Sequence, residues 1–389
     1  MSTTVYAQRY NTEVFSNVDV TADVTYGSGP AWSTFPVALK LDIYEPNGDT
    51  ESARPLMILA HGGSFTAGSK TDGYMVAICE SFAKRGYVTV SISYRLGINF
   101  ANLSGLDKEL QKATIRAIQD FNASIRYFYK SARTEGNPYS IDTNKIIVGG
   151  YSAGSIAAIH SQLFKDPNTA PAFISQSLAN MGGLEGGNDG SSNYPSRSVG
   201  LWNMAGAILD TAMVNIPDVP TIGFHGDADN VVPFGIGFAS FNGTPIVEMN
   251  GSSLIEAKLQ QMGATTEFNA YAGAGHDLLS NTVRADSILT KSARFFYNNV
   301  IQNPSIGIVE DVIYQNVFPN PLQQGERIHL ELATPSNWEI MDMNGRRILE
   351  GKLPIGSFEL ETENLNSGTY ILRIQNNTGR IQNQKIVIR

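Results

Sequence analysis

Ten residues, Lys145-Ile146-Ile147-Val148-Gly149-Gly150-Tyr151-Ser152-Ala153-Gly154, carry the strongest structural signal in the chain. The run ending at Gly149 is continuously apolar after Lys145, the mark of a strand buried on both faces, as in the middle of a parallel sheet. It passes directly into a G-x-S-x-G pattern and then into the small residues Gly154, Ser155, Ala157 and Ala158, which suit a tightly packed helix. In a chain with 37 glycines the pattern alone is weak. Set between a buried strand and a helix it predicts a nucleophile elbow, with Ser152 lifted to the edge of the sheet. The flanking glycines have a steric reason, because a β-carbon on either side would collide with the neighbouring strand or helix. The start of the helix also favours negative charge near the serine oxygen.

Outward from this point, strands and helices alternate. Residues 37–44 read as a half-exposed strand ending at Pro46, and residues 55–60 as a second buried strand. Residues 75–84 repeat with helical period and close at Gly86, a C-cap glycine. A strand over 87–94, a long amphipathic helix over 108–131 and a helix over 153–164 follow. Strands over 198–205 and 219–224, a helix over 253–262, a strand over 266–271 and a helix over 282–301 complete the series. The alternation predicts an α/β fold, a mostly parallel sheet flanked by helices, with ligands bound at the carboxyl ends of its strands. Cys79 is the only cysteine and falls in the helical pattern of residues 74–83. It reads as a buried core thiol and excludes a disulfide framework or multi-thiolate metal site.

After Gln302-Asn303-Pro304 the helical period disappears. Short strands are expected over 327–332, 338–341, 358–362, 370–375 and 384–388, with Asn344-Gly345 as a hairpin turn. The organisation is therefore residues 1–303 as an α/β unit and 304–389 as a small all-β sandwich. Phe318-Pro-Asn-Pro321, Asp342-Met-Asn-Gly-Arg346, Ser367-Gly-Thr-Tyr-Ile-Leu-Arg-Ile374 and Lys385-Ile-Val-Ile-Arg389 resemble the C-terminal sorting domains of the type IX secretion system. That resemblance implies export to the cell surface or medium of a Bacteroidetes-like bacterium, with the secretion machinery as a partner. Thr4-Val-Tyr-Ala7 before Gln8 looks like the end of a secretory signal peptide, so residues 1–7 are expected to be its remnant.

Within the first unit, Lys40-Leu-Asp-Ile-Tyr-Glu-Pro46, His61-Gly-Gly-Ser-Phe65 and Ser91-Ile-Ser-Tyr-Arg-Leu-Gly97, together with the elbow, resemble bacterial carboxylesterases and lipase-like proteins of the α/β-hydrolase fold. The resemblance spans most of the first three hundred or so residues. It implies an oxyanion loop at His61–Phe65, with backbone N–H groups of Gly63, Ser64 and Ala153 as donors. Ser64 stands where related loops carry a third glycine, a change that keeps the N–H. His225-Gly-Asp-Ala-Asp229-Asn-Val-Val-Pro233 resembles the acid loop of this fold and implies Asp229 as the catalytic acid. Asp227 in the same loop and Asp210 after the preceding strand are the alternatives. Of the five histidines, His276 alone lies in a Gly-rich loop between the last strand and helix, downstream of the acid. His61 belongs to the oxyanion loop, His160 is mid-helix, His225 ends a strand and His329 is in the sorting module. The chain order Ser152, Asp229, His276 is the order this fold uses.

The expected function is a secreted serine esterase acting on a small-molecule or polymeric carboxylic ester, with no metal or organic cofactor implied. Plant-wall acetyl or feruloyl esters, small lipids and polyesters are the candidate substrates. Polyester hydrolases of this fold usually carry Met after the nucleophile, and Ala153 departs from that. A serine peptidase of prolyl-oligopeptidase type would use the same residues, although no propeller domain precedes them. Phe65, Tyr151 and Phe234 are candidate substrate-binding residues, with Phe238 and Phe241 also in view, and residues 179–196 are a candidate lid. A formal net charge of −8 without a basic cluster leaves no electrostatic footprint for nucleic acid. No run approaches the roughly 18–20 apolar residues needed to span a membrane.

Overall fold

The computed structural model describes residues 9–33, 35–186, 191, 194–241, 243–302, 314–318, 320–332, 335–354, 356–376 and 381–389. The chain divides into two compact units, Met1–Gly307 and Ile308–Arg389. Residues 4–8, read as the end of a signal peptide, lie outside the described residues.

In the first unit, β1 (Val18–Pro30), β2 (Pro36–Pro46), β3 (Arg54–Ala60), α1 (Gly73–Lys84), β4 (Val88–Ile92) and α2 (Leu106–Thr134) come first. Next are β5 (Ile141–Tyr151), α3 (Ala153–Leu163), α4 (Ala172–Asn180), β6 (Gly200–Met204), β7 (Ala207–Ile208) and β8 (Thr221–Gly226). The unit ends with β9 (Ile236–Phe241), β10 (Thr244–Gly251), α5 (Ser252–Gln261), β11 (Thr266–Tyr271) and α6 (Thr282–Phe296). Eight strands form one sheet in the order β1-β2-β4-β3-β5-β6-β8-β11. Only the pairs β1–β2 and β2–β4 are antiparallel; from β4 to β11 every pair is parallel. Alternate side chains of the central strands enter two separate cores. Leu56, Ile58, Val88, Val90, Ile146 and Val148 pack with α2, α3, α4 and α5. Met57, Leu59 and Ile147 pack with Cys79 and Phe82 of α1 and Ile288 and Phe296 of α6. A strand covered on both faces needs apolar residues at successive positions, which is why β3 and β5 read as continuous runs.

Three segments escaped the sequence reading. β1 is an edge strand whose side chains are mostly exposed, so it has no core-facing alternation to detect. β9 and β10 form an antiparallel hairpin outside the main sheet. Its signal was Asn242-Gly243, between two half-polar strands. α4 is a nine-residue helix with three buried residues, short of a clear period. The helix expected to reach residue 301 ends at Phe296 and continues as a wider π turn over Tyr297–Ile301. Cys79 is fully buried, and burial pushes its thiol well above the usual range. Among the described residues no helix is long and apolar enough to cross a membrane.

The second unit holds two antiparallel sheets. One contains β12 (Tyr314–Phe318), β13 (Ile328–Leu332) and β16 (Gly356–Leu360). The other contains β14 (Ser336–Asp342), β15 (Arg347–Leu353), β17 (Gly368–Asn376) and β18 (Ile381–Ile388) in the order β15-β14-β17-β18. Leu330, Ile340, Leu360, Leu372 and Ile386 form a single core drawn from both sheets. The expected turn at Asn344-Gly345 joins β14 to β15, where Gly345 takes φ 81° and its N–H donates to Asp342 O at 2.9 Å.

Candidate active site

The turn after β5 is steric in origin. Ser152 has φ 56° and ψ −122°, outside the ordinary regions for an L-residue, and α3 starts at the next position. Its N–H donates to Met204 O on β6 at 2.9 Å. All eleven residues of α3 are buried, so small side chains are required along it. The tightest approach is at Gly154, where an added β-carbon would lie 2.1 Å from Ala60 O and 2.6 Å from His61 O. Both neighbours are backbone and cannot swing away. Gly154→Ala is therefore expected to destabilise the fold by about 2–4 kcal/mol, read as a lowered Tm in thermal unfolding.

The loop after β3 is built just as tightly. Gly62 N–H donates to Tyr74 Oη at 2.8 Å, and Tyr94 Oη donates to His61 O at 2.8 Å. His61 stacks on Tyr94 with ring centroids 4.5 Å apart. Burial pushes the His61 imidazole below its ordinary value, leaving it neutral with Nδ1 2.7 Å from the Gly62 carbonyl. Ser64 and Phe65 both take positive φ, at 53° and 59°, a strained pair of non-glycine residues. Among the described residues the N–H groups of Gly63, Ser64 and Ala153 have no hydrogen-bond partner.

Two further loops come to the same carboxyl edge from β8 and β11. His276 Nε2 lies 2.9 Å from Ser152 Oγ, and its Nδ1 lies 2.7 Å from Asp229 Oδ2. The carboxylate requires the proton on Nδ1, which leaves Nε2 to accept from the serine hydroxyl. Tyr151 stacks on the His276 ring at 5.3 Å and donates its hydroxyl to His276 O at 2.7 Å. The alternative acids are occupied elsewhere. Asp227 Oδ1 accepts from Gly273 N–H at 2.6 Å, and Asp210 Oδ1 accepts from Ala212 N–H at 2.8 Å.

Asp229 carries a second histidine that the sequence reading passed over as the end of a strand. His225 Nε2 lies 3.1 Å from Asp229 Oδ2 and 3.2 Å from Val232 O, two acceptors, so this nitrogen bears the proton. His225 Nδ1 lies 2.7 Å from Ser252 Oγ, which donates to Gly206 O at 2.9 Å. Asn203 Nδ2 donates to Ser252 Oγ at 3.0 Å, Ser155 Oγ donates to Asn203 Oδ1 at 2.9 Å, and Met204 N–H donates to Ser155 Oγ at 3.1 Å. A buried polar chain thus runs from the carboxylate to the strand that holds Ser152. Asp229 Oδ1 accepts from the N–H groups of Val231 and Val232 at 2.8 and 3.0 Å. Burial opposes the charge, but the bonds from His225, His276 and Val231 outweigh it and hold the carboxyl well below the usual carboxylate range. The clue lay in the motif itself, since His225 opens the segment that Asp229 closes.

A cavity of about 500 Å³, measured out to its open mouth, adjoins Ser152. Phe65 and Ile156 line one part, and the β9–β10 hairpin covers another through Ala239, Phe241, Val247 and Met249. Of the aromatic residues singled out in the sequence, Phe65 and Phe241 line this cavity. Tyr151 does not; it supports His276. Phe234 does not either; its ring lies edge-on to His225 at 5.7 Å and beside Phe268 at 5.9 Å. Phe238 is 53% exposed on the hairpin. No described residue of the 179–196 stretch lines the cavity. Instead, Gln119 and Asn122 of α2 donate to Met181 O, Gly183 O and Leu184 O at 2.7, 2.8 and 3.0 Å, and Arg126 pairs with Glu185. Residues 187–190 and 192–193 of that stretch lie outside the described residues. Among the described residues no cluster of His, Cys, Asp or Glu could hold a metal ion.

Residues 41–169 match the family described as BD-FAE, and residues 316–389 match the secretion system C-terminal sorting domain. The chain therefore carries a segment similar to the BD-FAE family and a secretion sorting domain. The BD-FAE match covers the loop at His61 and the elbow at Ser152, and ends before Asp229 and His276. The chain is 36% identical over 163 residues to carboxylesterase 3B of Mus musculus, which is 39% of this chain and 26% of that protein. It is 28% identical over 166 residues to fumonisin B1 esterase of Sphingopyxis macrogoltabida, 39% of this chain and 30% of that one. The chain thus spans less than a third of the length of these curated relatives. Esterase 2 of Thermogutta terrifontis superposes with a TM-score of 0.49 at 20% identity, covering 72% of this chain and 94% of that one. The sorting domain points to secretion or a place at the cell surface.

Proposed function

We propose that this chain is a secreted serine esterase in which Ser152 is the nucleophile, His276 the base and Asp229 the acid that orients it. The observation that carries the reading is the hydrogen-bonded series from Asp229 Oδ2 through His276 to Ser152 Oγ, set at the carboxyl edge of the sheet beside an apolar cavity. As Ser152 Oγ bonds to the ester carbonyl carbon, its proton passes to His276 Nε2, and Asp229 stabilises the resulting imidazolium. The N–H groups of Gly63, Ser64 and Ala153 hold the oxyanion, aided by the N-terminus of α3. His276 returns the proton to the departing alcohol, and water repeats the sequence on the acyl-enzyme. His225 acts as a positioning residue, holding the carboxylate through its Nε2 beside His276.

Similarity to a carboxylesterase and to a fumonisin B1 esterase supports an ester rather than a peptide substrate. The match to a secretion sorting domain supports export, which we read as type IX export from a Bacteroidetes-like bacterium toward an extracellular ester. A fluorophosphonate probe tests the nucleophile directly. Stoichiometric labelling of the full chain is expected, with the added mass on the peptide containing Ser152. Label on another serine, or none, refutes the assignment.

A further inference from the structure

The cavity beside Ser152 is lined in part by Gln111, Thr114 and Leu209, and these same three residues also line a second, smaller cavity. The inner cavity is also lined by Ile118, Phe164, Leu178 and Met213, with His160 as a polar residue beside Gln111 and Thr114. His160 Nδ1 lies 2.8 Å from Ile156 O, and burial pushes its pKa down to about 4, so the ring is neutral and its Nε2 is an acceptor. That nitrogen receives the Leu209 N–H at 3.4 Å, while Asn250 Nδ2 donates to Leu209 O at 3.4 Å. The main chain of Leu209 is thereby held between α3 and β10. Among the described residues no charged side chain lines either cavity. Burying an ionised acyl group there would go uncompensated, so the pair of cavities suits neutral hydrocarbon.

We propose that Leu209 sets the length of acyl chain this enzyme accepts, by closing the inner cavity to an unbranched aliphatic chain attached at Ser152. This rests on the esterase reading above. Chains that fit the outer cavity gain roughly fourfold in kcat/KM for each methylene buried; longer ones meet Leu209 and gain nothing further. Thr114 assists from α2, its Oγ1 donating to Leu110 O at 3.0 Å so that its methyl group is left to form the wall.

The test is kcat/KM on p-nitrophenyl butyrate, octanoate and dodecanoate for the wild type, Leu209→Ala and Leu209→Trp. Leu209→Ala joins the cavities and is expected to raise the dodecanoate-to-butyrate ratio by about tenfold or more. Leu209→Trp fills the outer end and is expected to lower the octanoate-to-butyrate ratio by a similar factor. Should Leu209→Ala not fold, Thr114→Ser removes a methyl group from the same wall, keeps the hydroxyl, and is expected to move the first ratio upward by a few-fold. Ester hydrolysis with ratios unmoved by the variants overturns the role of Leu209 and leaves the esterase reading intact. A wild type that hydrolyses none of the three esters overturns both.

Discussion

Replacing Ser152 with alanine is expected to lower kcat on p-nitrophenyl butyrate by about four to six orders of magnitude while leaving Tm nearly unchanged. The loss is large because the two-step route disappears with the nucleophile. What survives is binding in the cavity and the N–H groups of the loop at Gly63, which together still assist attack by water. The fold is expected to survive because the Ser152 hydroxyl makes its one hydrogen bond, among the described residues, to His276. The elbow itself is held by backbone, through Ser152 N–H to Met204 O and Ile156 N–H to Ser152 O, both 2.9 Å. Steady-state kinetics beside a thermal melt decide the matter. Activity retained within tenfold would move the nucleophile elsewhere.

Asp229→Asn is the second large effect, a fall in kcat of about 10⁴. The carboxylate accepts from two histidines and two backbone amides, all with its two oxygens. Both rings contact Oδ2 and both amides Oδ1, so the N–H₂ group of asparagine faces either the two rings or the two backbone N–H donors. If it faces His276, Nδ1 becomes the acceptor and Nε2 carries the proton, so the ring points a donor at Ser152 and no longer serves as base. The same N–H₂ also meets His225 Nε2, which must give up its proton or its bond, whereas at the other position it opposes the N–H donors of Val231 and Val232. Asp227→Asn, two residues away and bonded to Gly273 N–H, is expected to change kcat by less than about threefold, which separates the two aspartates. Stability gives a second reading. The folded carboxyl of Asp229 is held below its ordinary value, so its contribution is fully present above the unfolded value of about 4 and is lost as pH falls from there toward the folded one. The Tm gap between wild type and Asp229→Asn is therefore expected to be widest near neutral pH and to narrow below about pH 4. A gap that widens in acid contradicts this account of the carboxylate.

Much of the architecture was legible along the chain, for a local reason. Buried parallel strands must be apolar at successive positions, and the elbow must be glycine-lined whatever lies further away, so β3, β5 and residues 150–154 announce themselves within a few residues. The loop at His61 is legible for the same reason, because its turn is set by backbone geometry at Gly63. Where one aspartate stands relative to another is a different kind of fact. Asp227 and Asp229 share a turn, and only the approach of the β11 loop puts His276 beside one and Gly273 beside the other.

Contacts between distant segments account for the rest. His225 reads as a strand end until Ser252, 27 residues on, and Asp229 occupy its two nitrogens. Tyr151 reads as a pocket aromatic until the His276 loop arrives 125 residues later to take its hydroxyl. The covering of the cavity was sought at residues 179–196, yet the described part of that stretch is bonded to α2, and the β9–β10 hairpin covers the site. The amino-acid sequence by itself determined the sheet, the elbow and the loops that meet its carboxyl edge, since each is constrained by its own backbone. The tertiary structure alone decided which side chains complete the site and where the cavity ends, because those depend on partners that no local pattern names.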